Sequence, residues 1–188
     1  MIPILIQPPA VEPVSLQQAK AWLRVDHAAD DELIAALLVA ARVCVEAASR
    51  KMLVAQVWRL NFDEWPEGDV VIPLAPLRQV NAVRVYDGAN VASVIAPASY
   101  VVDAGAQRLR FLSAPRAPGR SLGGCEIEAV IGYASAAEGV PAPLRQAIRM
   151  LAARWYERRG DAQSDARFDT MPGEIAALIA PFRTLRLT

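Results

Sequence analysis

Between Gln56 and Tyr133 the apolar residues stop recurring every three to four positions and begin to alternate, and the helical spacing returns only after Pro141. A chain with this order must pack a strand-rich block together with helical segments that lie on both sides of it in sequence. At 188 residues it can bury one sizeable core with a smaller lobe, but not two large domains. The pattern predicts an α+β fold: a bundle of about four helices, residues 15–55 and 141–183, with an antiparallel β lobe, 56–133, inserted between the second and third helices. Residues 1–14, with Pro3, Pro8, Pro9 and Pro13, are expected to form an extended arm, since proline fixes φ and removes backbone donors. Residues 184–188 are left as a C-terminal tail.

The helical boundaries have local causes. Ser15 followed by Gln18 is a capping-box pattern that opens a first helix carrying Leu16, Ala19 and Leu23, with an expected end near Val25. Asp30 is the expected N-cap of a second helix, with Asp31 and Glu32 in the first turn, where the helix dipole favours carboxylates. Two apolar stripes follow, one through Leu33, Leu37, Ala41, Cys44 and Ala48, the other through Ile34, Leu38, Val45 and Met52. Together they are wider than one helix neighbour requires. A third helix is expected from Pro141 and Pro143 to Gly160, with Leu144, Ile148, Leu151 and Trp155 on its core face. A polar loop, 161–169, then leads to a short fourth helix after Pro172.

Within the alternating block, Trp58, Leu60 and Phe62 share one face of a strand, and Val70–Ile72 forms a short second one. Asp87-Gly88 between residues 80–86 and 89–95 predicts a hairpin with a tight turn, and Asp103-Ala104-Gly105 predicts another. Cys125, Ile127, Ala129 and Ile131 alternate with Glu126, Glu128 and Val130, which describes a half-buried last strand. The Pro, Gly and Arg-rich stretch 113–124 reads as an exposed loop.

Composition removes several functional classes. Twenty basic residues balance twenty acidic ones, so no global field draws the chain onto nucleic acid or an anionic membrane. The longest uninterrupted apolar run, Leu33 to Ala41, is far shorter than the roughly 20 residues that span a bilayer, and no signal peptide or membrane partner is expected. Cys44 and Cys125 have no CxxC or histidine companion and read as reduced core thiols. Catalytic, cofactor and metal sites are all expected to be absent. His27 stands alone in a polar turn, and no nucleophile elbow or glycine-rich phosphate loop occurs. The acidic groups Asp30-Asp31-Glu32, Asp63-Glu64 and Glu126/Glu128 are accounted for by capping, a strand end and a polar strand face. One constellation remains: Arg145, Arg149, Arg154, Arg158 and Arg159 on the third helix, a candidate subunit-interface or DNA-facing surface.

The order of these pieces resembles a known family. Pro13-Val-Ser-Leu-x-x-Ala-Lys-x-Trp-Leu-Arg-Val25, then Asp30-Asp31-Glu32-Leu33-Ile34 leading into Ala40-Ala41-Arg42 and Val45-Glu46-Ala47, is similar to the head–tail connector (adaptor) proteins of tailed bacteriophages and their relatives in gene transfer agents. Pro141-x-Pro143-Leu144-Arg145-Gln146-Ala147-Ile148 with Trp155-Tyr156-Glu157-Arg158-Arg159 resembles the family's second helical half. The resemblance implies a non-catalytic, usually dodecameric ring in the neck of a virion or phage-like particle, assembled in the host cytoplasm. It also implies a portal protein on one side, a stopper or tail-terminator protein on the other, and DNA passing through the bore. By the same resemblance the C-terminal residues Phe182, Arg183, Leu185, Arg186 and Leu187 would reach the portal. Two other readings compete: a DNA-binding or DNA-packaging accessory module using the arginine helix, and a hydrolase or transferase subunit whose site forms between chains.

Overall fold

The computed structural model describes residues 1–158 and 171–183. The chain divides into two compact units, Met1–Ala10 with Ala55–Tyr133, and Val11–Val54 with Ala134–Thr188. Among the described residues four α-helices lie in the second unit and the strands in the first, so the fold is α+β with antiparallel sheets.

In the helical unit α1 (Leu16–Leu23) starts as its sequence predicts: Ser15 Oγ accepts from the Gln18 N–H at 3.2 Å, and Gln18 Oε1 accepts from the Ser15 N–H at 3.3 Å. Its successor α2 (Asp31–Ser49) follows Asp30, whose carboxylate makes no cap bond to its own helix; it accepts instead from the Tyr156 hydroxyl. The helix stops at Ser49, short of the expected residue 52, because the Ser49 hydroxyl donates back to the Val45 carbonyl at 2.7 Å and Arg50 turns left-handed (φ 56°). The following α3 (Ala142–Glu157) and α4 (Gly173–Ile179) complete the unit. Val14, Ile34, Leu38, Ala41 and Val45 form its core with Leu144, Ile148, Ile175 and Ile179. Tyr156, not Trp155, sits on the buried arc of α3 with Leu144, Ile148 and Ala152. Four-residue steps hold that arc, and Asp30 supplies a partner for the buried hydroxyl. The expected end at Gly160 and the loop 161–169 lie outside the described residues.

The β unit holds β1 (Ile2–Gln7), β2 (Gln56–Phe62), β3 (Val70–Val71), β4 (Leu77–Tyr86), β5 (Ala92–Val94), β6 (Tyr100–Asp103), β7 (Arg108–Phe111) and β8 (Cys125–Ile131). They form a five-stranded sheet in the order β1-β2-β8-β4-β5 and a three-stranded sheet in the order β3-β7-β6, every pair antiparallel. The last strand in sequence, β8, is central in space. Ile127 lies opposite Leu60 on one side and Val83 on the other, and all three are fully buried. Residues 2–7 of the expected N-terminal arm are extended and pair along β2 as an edge strand.

Both predicted hairpins form, with turn chemistry that differs from the expectation in the first. Residues 87–91 make a longer loop in which Asp87 Oδ1 accepts from the N–H groups of Ala89 and Val91, both at 2.9 Å. The positive φ falls on Asn90, at 63°, because the aspartate side chain replaces the backbone acceptor of a tight turn. The stretch 113–124 is largely exposed but pinned at two points: the Gly119 N–H donates to the Tyr86 carbonyl at 2.8 Å, and the Tyr86 N–H donates to the Gly124 carbonyl at 2.9 Å. A Cβ on Gly119 would lie 2.4 Å from the Gly88 nitrogen, so this approach requires glycine.

Cys125 is fully buried at the start of β8, and burial, reinforced by Glu64, pushes its thiol up to about 11; Cys44 on α2 is half-buried. The thiolate is the reacting species, so titration of native protein with a disulfide reagent at pH 8 should modify Cys44 promptly and Cys125 only after denaturation. Two equivalents consumed at one rate in the native state would contradict this burial.

Candidate functional site

The helical unit carries the residues that sequence singled out. On α3, Arg145 and Arg149 are half-buried, one turn apart, and the buried Nε of each has no hydrogen-bond partner. Arg154 is half-exposed with Nη1 3.9 Å from Glu174 Oε1, a loose surface pair, and Arg158 is exposed. Arg159 lies outside the described residues. The arginine face is therefore one buried-stem pair and two looser surface cations. At the C-terminus Phe182 is half-buried, and exposed Arg183 donates through Nε to the Ala48 carbonyl at 3.1 Å. Leu185, Arg186 and Leu187 lie outside the described residues.

Sequence reasoning missed how α2 distributes its charge. Beyond the first turn the helix has two ionised side chains, Arg42 and Glu46, and both point inward, at 7% and 5% exposure. Arg42 Nη1 donates to Glu46 Oε2 at 2.9 Å and Nε to Glu12 Oε2 at 2.8 Å, while Glu46 Oε1 accepts from the Leu53 N–H at 2.9 Å. Burial raises the Glu46 carboxyl above the usual range, although the Leu53 amide and Arg42 pull it the other way. The opposite surface of the helix is apolar and exposed: Leu33, Ala36, Val39, Ala40, Val43 and Ala47. A helical periodicity plot gives the width of the apolar surface but not which part is covered, so this inversion is not visible from spacing.

In the β unit, Glu126 and Glu128 do lie on the non-core face of β8, as alternation predicts, but Glu126 is 3% exposed. Arg59 of β2 approaches Glu126 at 3.2 Å. Arg84 of β4 pairs with Glu126 and reaches Glu128 at 3.2 Å, and the Tyr86 hydroxyl donates to Glu126 Oε2 at 2.9 Å. Arg120 stacks 3.8 Å from the centroid of the Tyr86 ring. Two carboxylates paired with two guanidiniums across three adjacent strands tie the sheet together. Strand order was the missing signal, since Arg59 and Arg84 are 67 and 42 residues from their partners by numbering. Elsewhere in this unit, Trp65 packs edge-on to Phe111 at 5.0 Å and lines an open groove of about 760 Å³ with Pro66, Pro115 and Pro118. Among the described residues no group of three His, Cys, Asp or Glu side chains is placed to hold a metal ion, and no helix is long and apolar enough to cross a membrane.

No protein-family model matches the sequence, and no curated protein matches it. Solved structures do. The fold is similar over 100% of the chain, and 98% of the other, to a chain in the virion of a native gene transfer agent particle, with 28% identity and a TM-score of 0.82. The same values relate it to a chain in the neck of an empty gene transfer agent particle computed with C6 symmetry. A chain in the neck of a native particle computed with C12 symmetry is 30% identical, with a TM-score of 0.74, over 98% of this chain and 97% of that one. The chain belongs to the head–tail connector family that includes gene transfer agent relatives. As a member of that family it is a structural protein of the neck of a phage-like particle.

Proposed function

We propose that this connector-family chain is one subunit of a homo-oligomeric, dodecameric ring in the particle neck, seated between the portal and a stopper or tail-terminator protein, with DNA passing through its bore. The observation that carries the reading is full-length similarity to a chain from a neck computed with C12 symmetry. A closed ring needs two unlike lateral patches on each subunit, and the apolar faces of α2 and β1 supply chemically suitable candidates. In this reading residues 15–55 and 141–183 form the ring body and 56–133 is an insertion in it. Phe182, Arg183, Leu185, Arg186 and Leu187 contact the portal. Arg145, Arg149, Arg154, Arg158 and Arg159 face either a neighbouring subunit or the DNA. The unpartnered Nε atoms of Arg145 and Arg149 support a role for those two in binding an external acceptor.

The test is electron microscopy of particles from cells producing this chain and from cells lacking it. With the chain, density for a twelve-fold ring between portal and tail is expected; without it, filled heads should accumulate with no tails attached. Tailed, complete particles in its absence would overturn the proposal. Removing residues 182–188 should give rings that no longer bind portal. If instead the free chain binds short DNA duplexes with affinity falling steeply as salt rises, and forms no ring on portal, the DNA-packaging reading replaces this one.

A further inference from the structure

Soluble helices normally turn charge outward and apolar side chains inward. In α2 the charges Arg42 and Glu46 are buried and paired beside the core residues Leu38, Ala41 and Val45, and an apolar face is left outside, with Leu33, Val39 and Val43 at 38%, 42% and 52% exposure. Leu33, Ala36, Ala40, Val43 and Ala47 follow one another at alternating steps of three and four, the spacing of a helix seam made for another surface. The buried sides of the helix are already taken by α1, α3 and α4 of the same chain.

We infer that this exposed face of α2 is a contact between copies, packed in the assembled ring against strand β1 of the next copy. The inference rests on the ring reading and adds the identity of its lateral surface. A rotationally closed ring cannot use one patch against itself, because like-to-like contacts close into two-fold dimers. A different patch of complementary shape is needed. The small residues Ala36, Ala40 and Ala47 leave shallow notches beside Leu33, Val39 and Val43, which suits bulky aliphatic side chains. Among the described residues the longest run of exposed aliphatics is Met1, Ile2, Ile4, Leu5 and Ile6, interrupted only by Pro3, and every residue of β1 is exposed. A bare, uncharged edge strand of this kind invites pairing unless something covers it.

Size also fits a shared interface. The 19 residues of α2 extend about 28 Å, and a stripe about 10 Å wide along that length covers about 280 Å². That is about a third of the ~800 Å² each partner contributes to a stable contact, so α2 and β1 form the apolar centre of the interface and polar residues complete its rim. Self-association is therefore expected to be weak until a ring closes.

The test uses the full chain in three forms. Val43→Glu should leave the melting temperature unchanged, because the side chain is exposed in the monomer, and should raise the concentration needed for half-assembly about tenfold or more by burying an unpaired charge. In a Cys44→Ser background, Ile4→Cys with Val43→Cys should oxidise at high concentration, or on portal, to a ladder of covalent multimers, while either cysteine alone should give no cross-linked dimer. A Val43→Cys dimer would overturn the inference by showing the face meeting itself. So would a Val43→Glu melting temperature that drops by several degrees, which would mean the chain's own 159–170 or 184–188 segment covers the face. Assembly that persists in Val43→Glu, with no ladder from the double variant, rejects this surface and leaves the ring intact. Wild-type chain that assembles under no condition rejects both.

Discussion

Replacing Arg42 with Met should destabilise the helical unit by about 3–5 kcal/mol at neutral pH, measured by urea unfolding, because it takes from the buried Glu46 carboxylate the guanidinium that pairs with it. The two side chains are 9% and 7% exposed, so water cannot take over the role of the guanidinium. Glu12, at 28%, can rehydrate, and the cost falls mainly on Glu46. The pH dependence identifies the cause. Burial raises the Glu46 carboxyl in the folded chain, so the folded state holds that proton more tightly than the unfolded state does. Stability from this group is thus present below the unfolded value and is lost as pH rises to the folded value, with no further change above it. Removing Arg42 takes away its charge and hydrogen bond, which lower the folded value, and so extends the window of loss upward. The gap between wild type and variant should narrow at pH 5 relative to pH 7.5. Adding Glu46→Leu to Arg42→Met should recover part of the loss, less the bond accepted from the Leu53 amide. A gap that is constant with pH, or no rescue by the double variant, would show that Arg42 acts through packing alone.

Truncating Ile127 to Ala should cost about 2–5 kcal/mol, and truncating it to Val only about 0.5–1.5 kcal/mol, in the same assay. Ile127 is fully buried on the central strand between Leu60 and Val83, both also at 0%. Strands on both sides hold those neighbours in register through β8, so the site cannot collapse to refill the space. A residue on an edge strand gives the contrast: Ile4→Ala on β1 removes a side chain that is 43% exposed and should change stability of the isolated chain by much less. Equal losses at Ile127 and Ile4 would contradict the placement of β8 at the centre.

Local chemistry was legible from spacing alone. Ser15 and Gln18 announced the start of α1, and the Asp103 and Asp87 segments announced hairpins, because each depends on side chains reaching backbone groups within five residues; Asp30 marked the position before α2 without making the cap bond expected of it. The excess width of the apolar surface on α2 was legible too, since periodicity measures width directly. Family membership could be read from the order of these helix caps and core positions, and the full-length likeness to neck structures agrees with it.

Placement in space was not legible. Spacing put Trp155 on the core face of α3, yet it gives its place to Tyr156, and spacing left open which of the two apolar stripes of α2 is covered, where Leu33 proves exposed. Alternation marked β8 as half-buried but could not make it central, with Glu126 sealed under Arg59, Arg84 and Tyr86. The sequence by itself determined where most elements begin and which residues within each are apolar, because those are short-range properties of backbone and side chain. Tertiary structure alone decided which apolar stripe of α2 is covered, that its two mid-helix charges face inward, and that residues 2–7 pair with β2. Each of those outcomes depends on which distant segment arrives as a neighbour, and burial of a charge or an aliphatic face is favourable or costly only once that neighbour is in place.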